Sequence, residues 1–222
     1  MSDNPFTPSF TELPSSLPIF PLSGAILLPH GELPLNIFEP RYLSMVLDAL
    51  GGHRMIGMVQ PDPRAEAAPG APEAVYPCGC AGRITAFRET SDGRLLIMLT
   101  GICRFRVTSE LELLRGYRRV TPEWTAFRQD LDGEQTDAVD VAGLIAAVKE
   151  YCATHGLVLE WDGLRDFPAP RLVDFLGVNL PFGPVEKQAL VEAAGVADRA
   201  RLLLAFTQMD LAAGNGRSDT RH

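Results

Sequence analysis

The sequence predicts an α+β fold with segregated elements, a β-rich half carrying one helix followed by a helical half. Three observations carry this expectation. The run Cys103-Arg104-Phe105-Arg106-Val107 alternates strictly, which puts Cys103, Phe105 and Val107 on one strand face and the arginines on the other. Val141, Leu144, Ile145, Val148 and Cys152 recur instead at helical spacing. The change of character falls near Asp130, and Asp130 to Thr136 reads as a hinge between the halves.

In chain order, Met1 to Ser16, with Pro5, Pro8 and Pro14, reads as a loosely held tail. A first strand follows at Ile19-Phe20 and again at Ile26-Leu27-Leu28, punctuated by Pro21, Pro29 and Pro34. Proline has no N–H to donate, so these positions mark strand ends and an edge rather than a central ladder. The helix of this half starts after Glu39 with Pro40 at its first position. It carries Leu43, Val46, Leu47 and Leu50 as its stripe and stops at Gly51-Gly52. Residues 61–72 are rich in Pro and Ala, have little to bury, and read as a loop. Asp92-Gly93 is a hairpin signal feeding Leu95-Leu96-Ile97-Met98-Leu99, a run apolar throughout, as in a strand covered on both faces. Gly101 predicts a bulge or bend in that strand. In the helical half, the Val141 stripe closes at Gly156. A second helix starts near Pro170 with Leu172, Phe175 and Leu176, a third runs from about Pro184 to Ala194, and a fourth from about Asp198 to Ala212. The expected division is a tail over 1–16, a β subdomain over 17–130, a helical subdomain over 131–213 and a polar tail over 214–222.

The 222 residues include 20 Lys and Arg against 28 Asp and Glu, a net charge of −8. That balance argues against tracking a phosphate backbone or docking on an anionic membrane. The longest aliphatic run, Leu95 to Leu99, is far short of the roughly 20 residues of a membrane span. Met1 to Phe10 has neither the basic residues nor the apolar core of a secretory leader. A cytoplasmic location is expected, with Cys78, Cys80, Cys103 and Cys152 as reduced and mostly buried thiols. Cys78-Gly79-Cys80 is too tightly spaced for a zinc knuckle, and neither a metal nor a cofactor is expected.

Only Lys149 and Lys187 are lysines. Neither follows a glycine, as a phosphate-cradling Walker loop requires, and neither has a nearby serine for a Ser-Lys dyad. Lys187, between Glu186 and Gln188, reads as a solvated helix position. No G-x-S-x-G, H-E-x-x-H or G-x-G-x-x-G pattern occurs. Cys152 and His155 share a helix face, but a buried thiol beside a histidine near the negative end of the helix dipole accounts for them. The residues argue against an enzyme.

One set of motifs carries a resemblance. Pro18-Ile19-Phe20-Pro21-Leu22, Pro29-His30, Pro34-Leu35 and Phe38-Glu39-Pro40-Arg41-Tyr42 follow one another within a single stretch. Gly79 to Ile84, Asp92-Gly93-Arg94 and Gly101-Ile102-Cys103-Arg104-Phe105-Arg106 come next, then Leu180-Pro181-Phe182 and Glu186-Lys187-Gln188-Ala189-Leu190-Val191-Glu192. In that order they resemble the N-terminal, substrate-binding domain of the Lon protease family. In Gly79 to Ile84 the Ala and Gly are displaced from the family's order. The resemblance implies a PUA-like β-barrel followed by a helical bundle, standing alone without the ATPase and Ser-Lys protease parts.

It also implies a non-catalytic role in binding unfolded polypeptide or a partner such as a protease or chaperone, with homo-oligomers possible. The alternative expectation is a PUA-like small-ligand or RNA-binding module. Arg115, Arg118 and Arg119 would serve the latter, although a solvated strand face is their plainer role. Phe20, Phe38, Tyr42 and Phe182 are the candidate polypeptide or partner contacts, with core packing the ordinary alternative for each. Glu39 and Arg41 read as a structural ion pair or cap.

Overall fold

The computed structural model describes residues 7–65, 72–132, 139–164 and 166–218. Its first half holds six strands and a helix: β1 (Leu17–Pro21), β2 (Glu32–Ile37), α1 (Pro40–Leu50), β3 (Met55–Val59), β4 (Cys78–Glu89), β5 (Leu95–Leu114) and β6 (Tyr117–Glu123). The second holds α2 (Gln129–Asp132), α3 (Val141–His155), α4 (Trp161–Leu164), α5 (Ala169–Asn179), α6 (Pro184–Glu192) and α7 (Val196–Ser218). The class is α+β, as expected.

The strands form one mixed sheet in the order β2-β5-β4-β3-β1-β6, with β6 pairing also to β5. The 20-residue β5 makes this possible, because its first half pairs with β2 and β4 and its second half with β6. The expected PUA-like barrel is thus a curled mixed sheet with β2 outside the circuit of pairings, not a regular closed barrel. β1 is not an edge strand: residues 17–19 pair with β6 and residues 19–21 run parallel to β3. Each of its ladders is only three residues long, which is how prolines are accommodated. Pro34 does sit on an edge, since β2 pairs only with β5.

Ile26 to Leu28 is a buried irregular segment rather than a strand. Gly101 explains its path. The segment crosses so close to β5 that a Cβ on Gly101 would lie 1.9 Å from the Leu28 carbonyl oxygen. His30 N–H donates to the Gly101 carbonyl (3.1 Å) and Gly101 N–H to that of Gly31 (2.8 Å), locking the crossing. Beside it Ile102 is an extra residue, because Cys103 faces Ala81 while Gly101 faces Gly82.

α1 has the expected bounds but a different inner face. Tyr42, Met45, Val46 and Ala49 are buried, while Leu47 is 56% exposed. Apolar residues on several sides of the helix left its orientation open. The segment ahead of β1 is pinned rather than loose where it is described: Phe10 and Leu13 pack on the core, and the Trp124 indole donates to the Pro14 carbonyl (3.1 Å).

In the helical half, Asp140 caps α3 by accepting from Gly143 N–H (2.9 Å), and Gly156 ends it in the left-handed region at φ 64°. α7 continues to Ser218, past the Gly214 at which the sequence ends it. Of the expected hinge, Asp130 to Asp132 belongs to α2 and residues 133–136 lie outside the described residues. So do residues 66–71 of the expected loop. The larger core draws on both halves, from Leu17, Cys103 and Phe105 to Val148, Leu176 and Leu203. A smaller core lies between α1 and the sheet. Among the described residues no helix is long and apolar enough to cross a membrane.

Candidate functional site: an apolar groove

The outer face of β5 is half covered, although an apolar run suggests burial on both sides. Leu95, Ile97 and Leu99 point into the core, and Leu96, Met98 and Thr100 point outward. Across the ladders Asn36, Pro34 and Glu32 of β2 stand opposite these outward residues, with Arg88 and Ala86 of β4 beside Leu96 and Met98. This face holds an apolar depression of about 410 Å³ lined by Pro34, Ala86, Phe87, Leu96 and Met98 among others. A second depression, about 240 Å³, begins at the same Pro34 and Met98. α5 and the residues just before it close it on the other side with Phe167, Arg171, Phe175 and Asn179. A third, about 330 Å³, shares His30, Glu32 and Arg171 and reaches Pro168 and Pro170 at the start of α5. Together they make one groove from β4 to the N-terminal end of α5. The Arg171 guanidinium lies over the Phe167 ring at 4.2 Å.

The four aromatics expected to contact a partner do not converge on one surface. Phe20 and Tyr42 stack against each other, 4.3 Å between ring centroids, inside the smaller core. Phe182 is half-buried between Tyr151 (5.7 Å) and Phe206 (5.6 Å). Phe38 is 61% exposed, with the Arg94 guanidinium 5.8 Å from its ring. None of the four lines the groove. Glu39 and Arg41 do form an ion pair (2.8 Å), exposed, and the Glu39 side chain makes no capping bond to α1. What sequence reasoning missed was the pairing of Met98 and Pro34 with Phe175. The signal for Met98 was its place in a run read as covered on both faces.

The four thiols and Lys187 are buried. Lys187 is not solvated: it is 7% exposed, its ammonium donates to the Val178 carbonyl at the end of α5 (3.0 Å), and burial lowers its pKa. All four cysteines are free and buried. Burial pushes the Cys78 thiol up to about 12 and raises those of Cys80, Cys103 and Cys152. His155 turns to Asp210 (2.6 Å) and stacks on Tyr151. Among the described residues no three His, Cys, Asp or Glu are grouped to hold a metal.

Two of the three arginines in the basic cluster are ion-paired. Arg115 pairs with Asp48 (2.8 Å) and Arg118 with Glu110, while Arg119 donates to the Glu112 carbonyl (3.2 Å), so two of the cluster's three charges are matched by carboxylates. Arg104, read on the strand face opposite Cys103 and Phe105, is fully buried against Asp130 (2.7 Å) and donates to the Val191 and Ala193 carbonyls at the end of α6. Arg199 and Asp174 form a second buried pair (2.7 Å).

With fold and groove in place, the comparisons with known proteins converge. Residues 16–208 match the ATP-dependent protease La (LON) substrate-binding domain. The chain belongs to that family. It is 25% identical over 208 residues to the Lon protease of Dictyoglomus thermophilum, covering 90% of this chain and 25% of that one. It is 28% identical over 215 residues to Lon protease 2 of Sorangium cellulosum, covering 88% and 25%. The chain therefore spans about a quarter of the length of these relatives. The crystal structure of a Lon N-terminal domain protein from Xanthomonas campestris superposes with a TM-score of 0.58 at 27% identity, covering 86% of this chain and 97% of that one. The N-terminal domain of a Mycobacterium avium complex Lon protease superposes with a TM-score of 0.62 at 17% identity, covering 87% and 98%, a likeness of fold.

Proposed function

We propose that this protein is a non-catalytic, Lon-type capture module that binds exposed apolar stretches of unfolded polypeptide, or a protein partner, in cytoplasmic protein quality control. The groove carries this reading. It is an open apolar surface built on rigid strands and a helix, and surfaces of that kind are where soluble proteins meet partners. The family's description as a substrate-binding domain supports it. So do the four buried thiols, whose raised pKa values keep them protonated, since a nucleophilic thiol needs an accessible, activated group. The free cysteines fit a reducing compartment.

The test is fluorescence anisotropy with labelled, unfolded casein, run with and without ATP and followed by gel analysis. Saturable binding that ignores ATP and leaves casein uncut is the expected result. No binding, or cleavage that is lost in Lys187→Ala, would overturn the reading.

A further inference from the structure

The groove has compartments, and their arrangement specifies the segment that fits. We propose that it reads extended polypeptide through two apolar side chains on alternate residues, one in the first compartment and one in the second, with acidic residues flanking the pair. This rests on the capture role proposed above.

Pro34 and Met98 line both the first and the second compartment, so they form the saddle between them. Leu96, Met98 and Thr100 are successive residues on the outer face of β5, each about 7 Å from the next. The first compartment is bounded by Leu96 and Met98. The second is bounded by Met98 and by Glu32, which pairs with Thr100. The two lie one same-face step apart. An extended chain has the same repeat: residues i and i+2 point to one side, about 7 Å apart, and i+1 points away. An unfolded segment arrives close to this conformation, whereas a short isolated helix is not stable in water.

Charge selects the flanks. Among the described residues nine arginines, from Arg41 to Arg201, form ion pairs with carboxylates. Arg88 in the first compartment and Arg171 in the second line the groove outside that set. Against these two guanidiniums stands one carboxylate, Glu32, on the wall nearest Arg171. The rim therefore complements acidic residues better than basic ones, most clearly at Arg88.

The experiment measures anisotropy of labelled Gly/Ser peptides that carry two leucines at i,i+1, i,i+2 or i,i+4, or a single leucine, flanked by Asp or by Lys. The i,i+2 peptide with Asp flanks is expected to bind about tenfold tighter than the single-leucine peptide and than either other spacing. Met98→Lys should abolish that preference, and Leu47→Lys, an exposed leucine outside the groove, should preserve it. Equal binding of all spacings while casein still binds overturns this inference and leaves the capture role standing. An i,i+4 preference assigns the groove to a helix, and a preference for Lys flanks reverses the charge argument; either overturns it. So does a dimer of the protein alone that Met98→Lys dissociates, because the occupant is then a second copy. If neither casein nor any peptide binds, the capture role fails as well.

Discussion

Arg104 is held by groups from two segments that lie far from it in sequence. Its guanidinium meets Asp130, the carbonyls of Val191 and Ala193, and the face of Phe127 at 4.5 Å, with no part of it exposed. Removing one partner of a buried ion pair strands the other charge, so Arg104→Met is expected to lose about 3–5 kcal/mol in urea denaturation. Adding Asp130→Leu should recover only part of this, because the two α6 carbonyls remain without their donor. An undiminished stability in the single variant would refute the account. The strand alternation located Arg104 on the face opposite Cys103 and Phe105 correctly. It carried no information about what covers that face, and here the helical half does. Lys187 was misread for the same reason, since its Glu-Lys-Gln context says nothing of the α5 carbonyl waiting for it. The thiols give a second prediction at this scale. Folded thiol pKa values above the ordinary 9.0 mean that the unfolded chain loses protons first as pH rises. Their contribution to stability is complete below about pH 9 and declines between about pH 9 and 12. Tyr117, pushed up to about 12, adds to that decline, and Lys187 with its lowered pKa opposes it as a single group. The urea midpoint is therefore expected to be lower at about pH 10.5 than at about pH 8. In the native state none of the four thiols should react promptly with Ellman's reagent.

Elements were legible where local chemistry sets them. Pro40 and Gly51-Gly52 bound α1, and Gly156 ends α3, because caps act through neighbouring backbone. The position of β1 within the sheet was not legible, since strand order is set by non-local pairing. Gly101 was flagged by sequence as a bend, and the crossing segment supplies the reason. Gly101→Ala is expected to cost about 3 kcal/mol or more by forcing Leu28 away. Gly163→Ala in α4, where nothing approaches within 4 Å and φ is not positive, should instead be neutral or stabilising by up to about 1 kcal/mol. Thermal melts of the two variants side by side distinguish steric from entropic roles for glycine.

The two halves share one core although the sequence divides cleanly into two compositions, and cooperative unfolding of the whole molecule is the expected outcome. The larger core crosses the boundary, and so does a polar seam. Gln60 donates to the Pro184 carbonyl (2.9 Å) and to Gln188 (3.2 Å), and Gln188 donates to the Cys78 carbonyl (3.1 Å). Each half holds one tryptophan, Trp124 beside β6 and Trp161 in α4. Urea unfolding followed by Trp161 in Trp124→Phe and by Trp124 in Trp161→Phe should each coincide with that variant's loss of helical circular dichroism; separated transitions would show two independent subdomains. The groove was invisible in the sequence because four separate segments build it: β2, β4, β5 and α5 with the residues just before it. The burial of Lys187 has a practical consequence of its own. It leaves Lys149, exposed on α3, as the only side-chain amine that a surface-coupling reagent can readily reach. No groove compartment is lined by α3, so a reagent coupled at Lys149 sits on a helix that takes no part in the site.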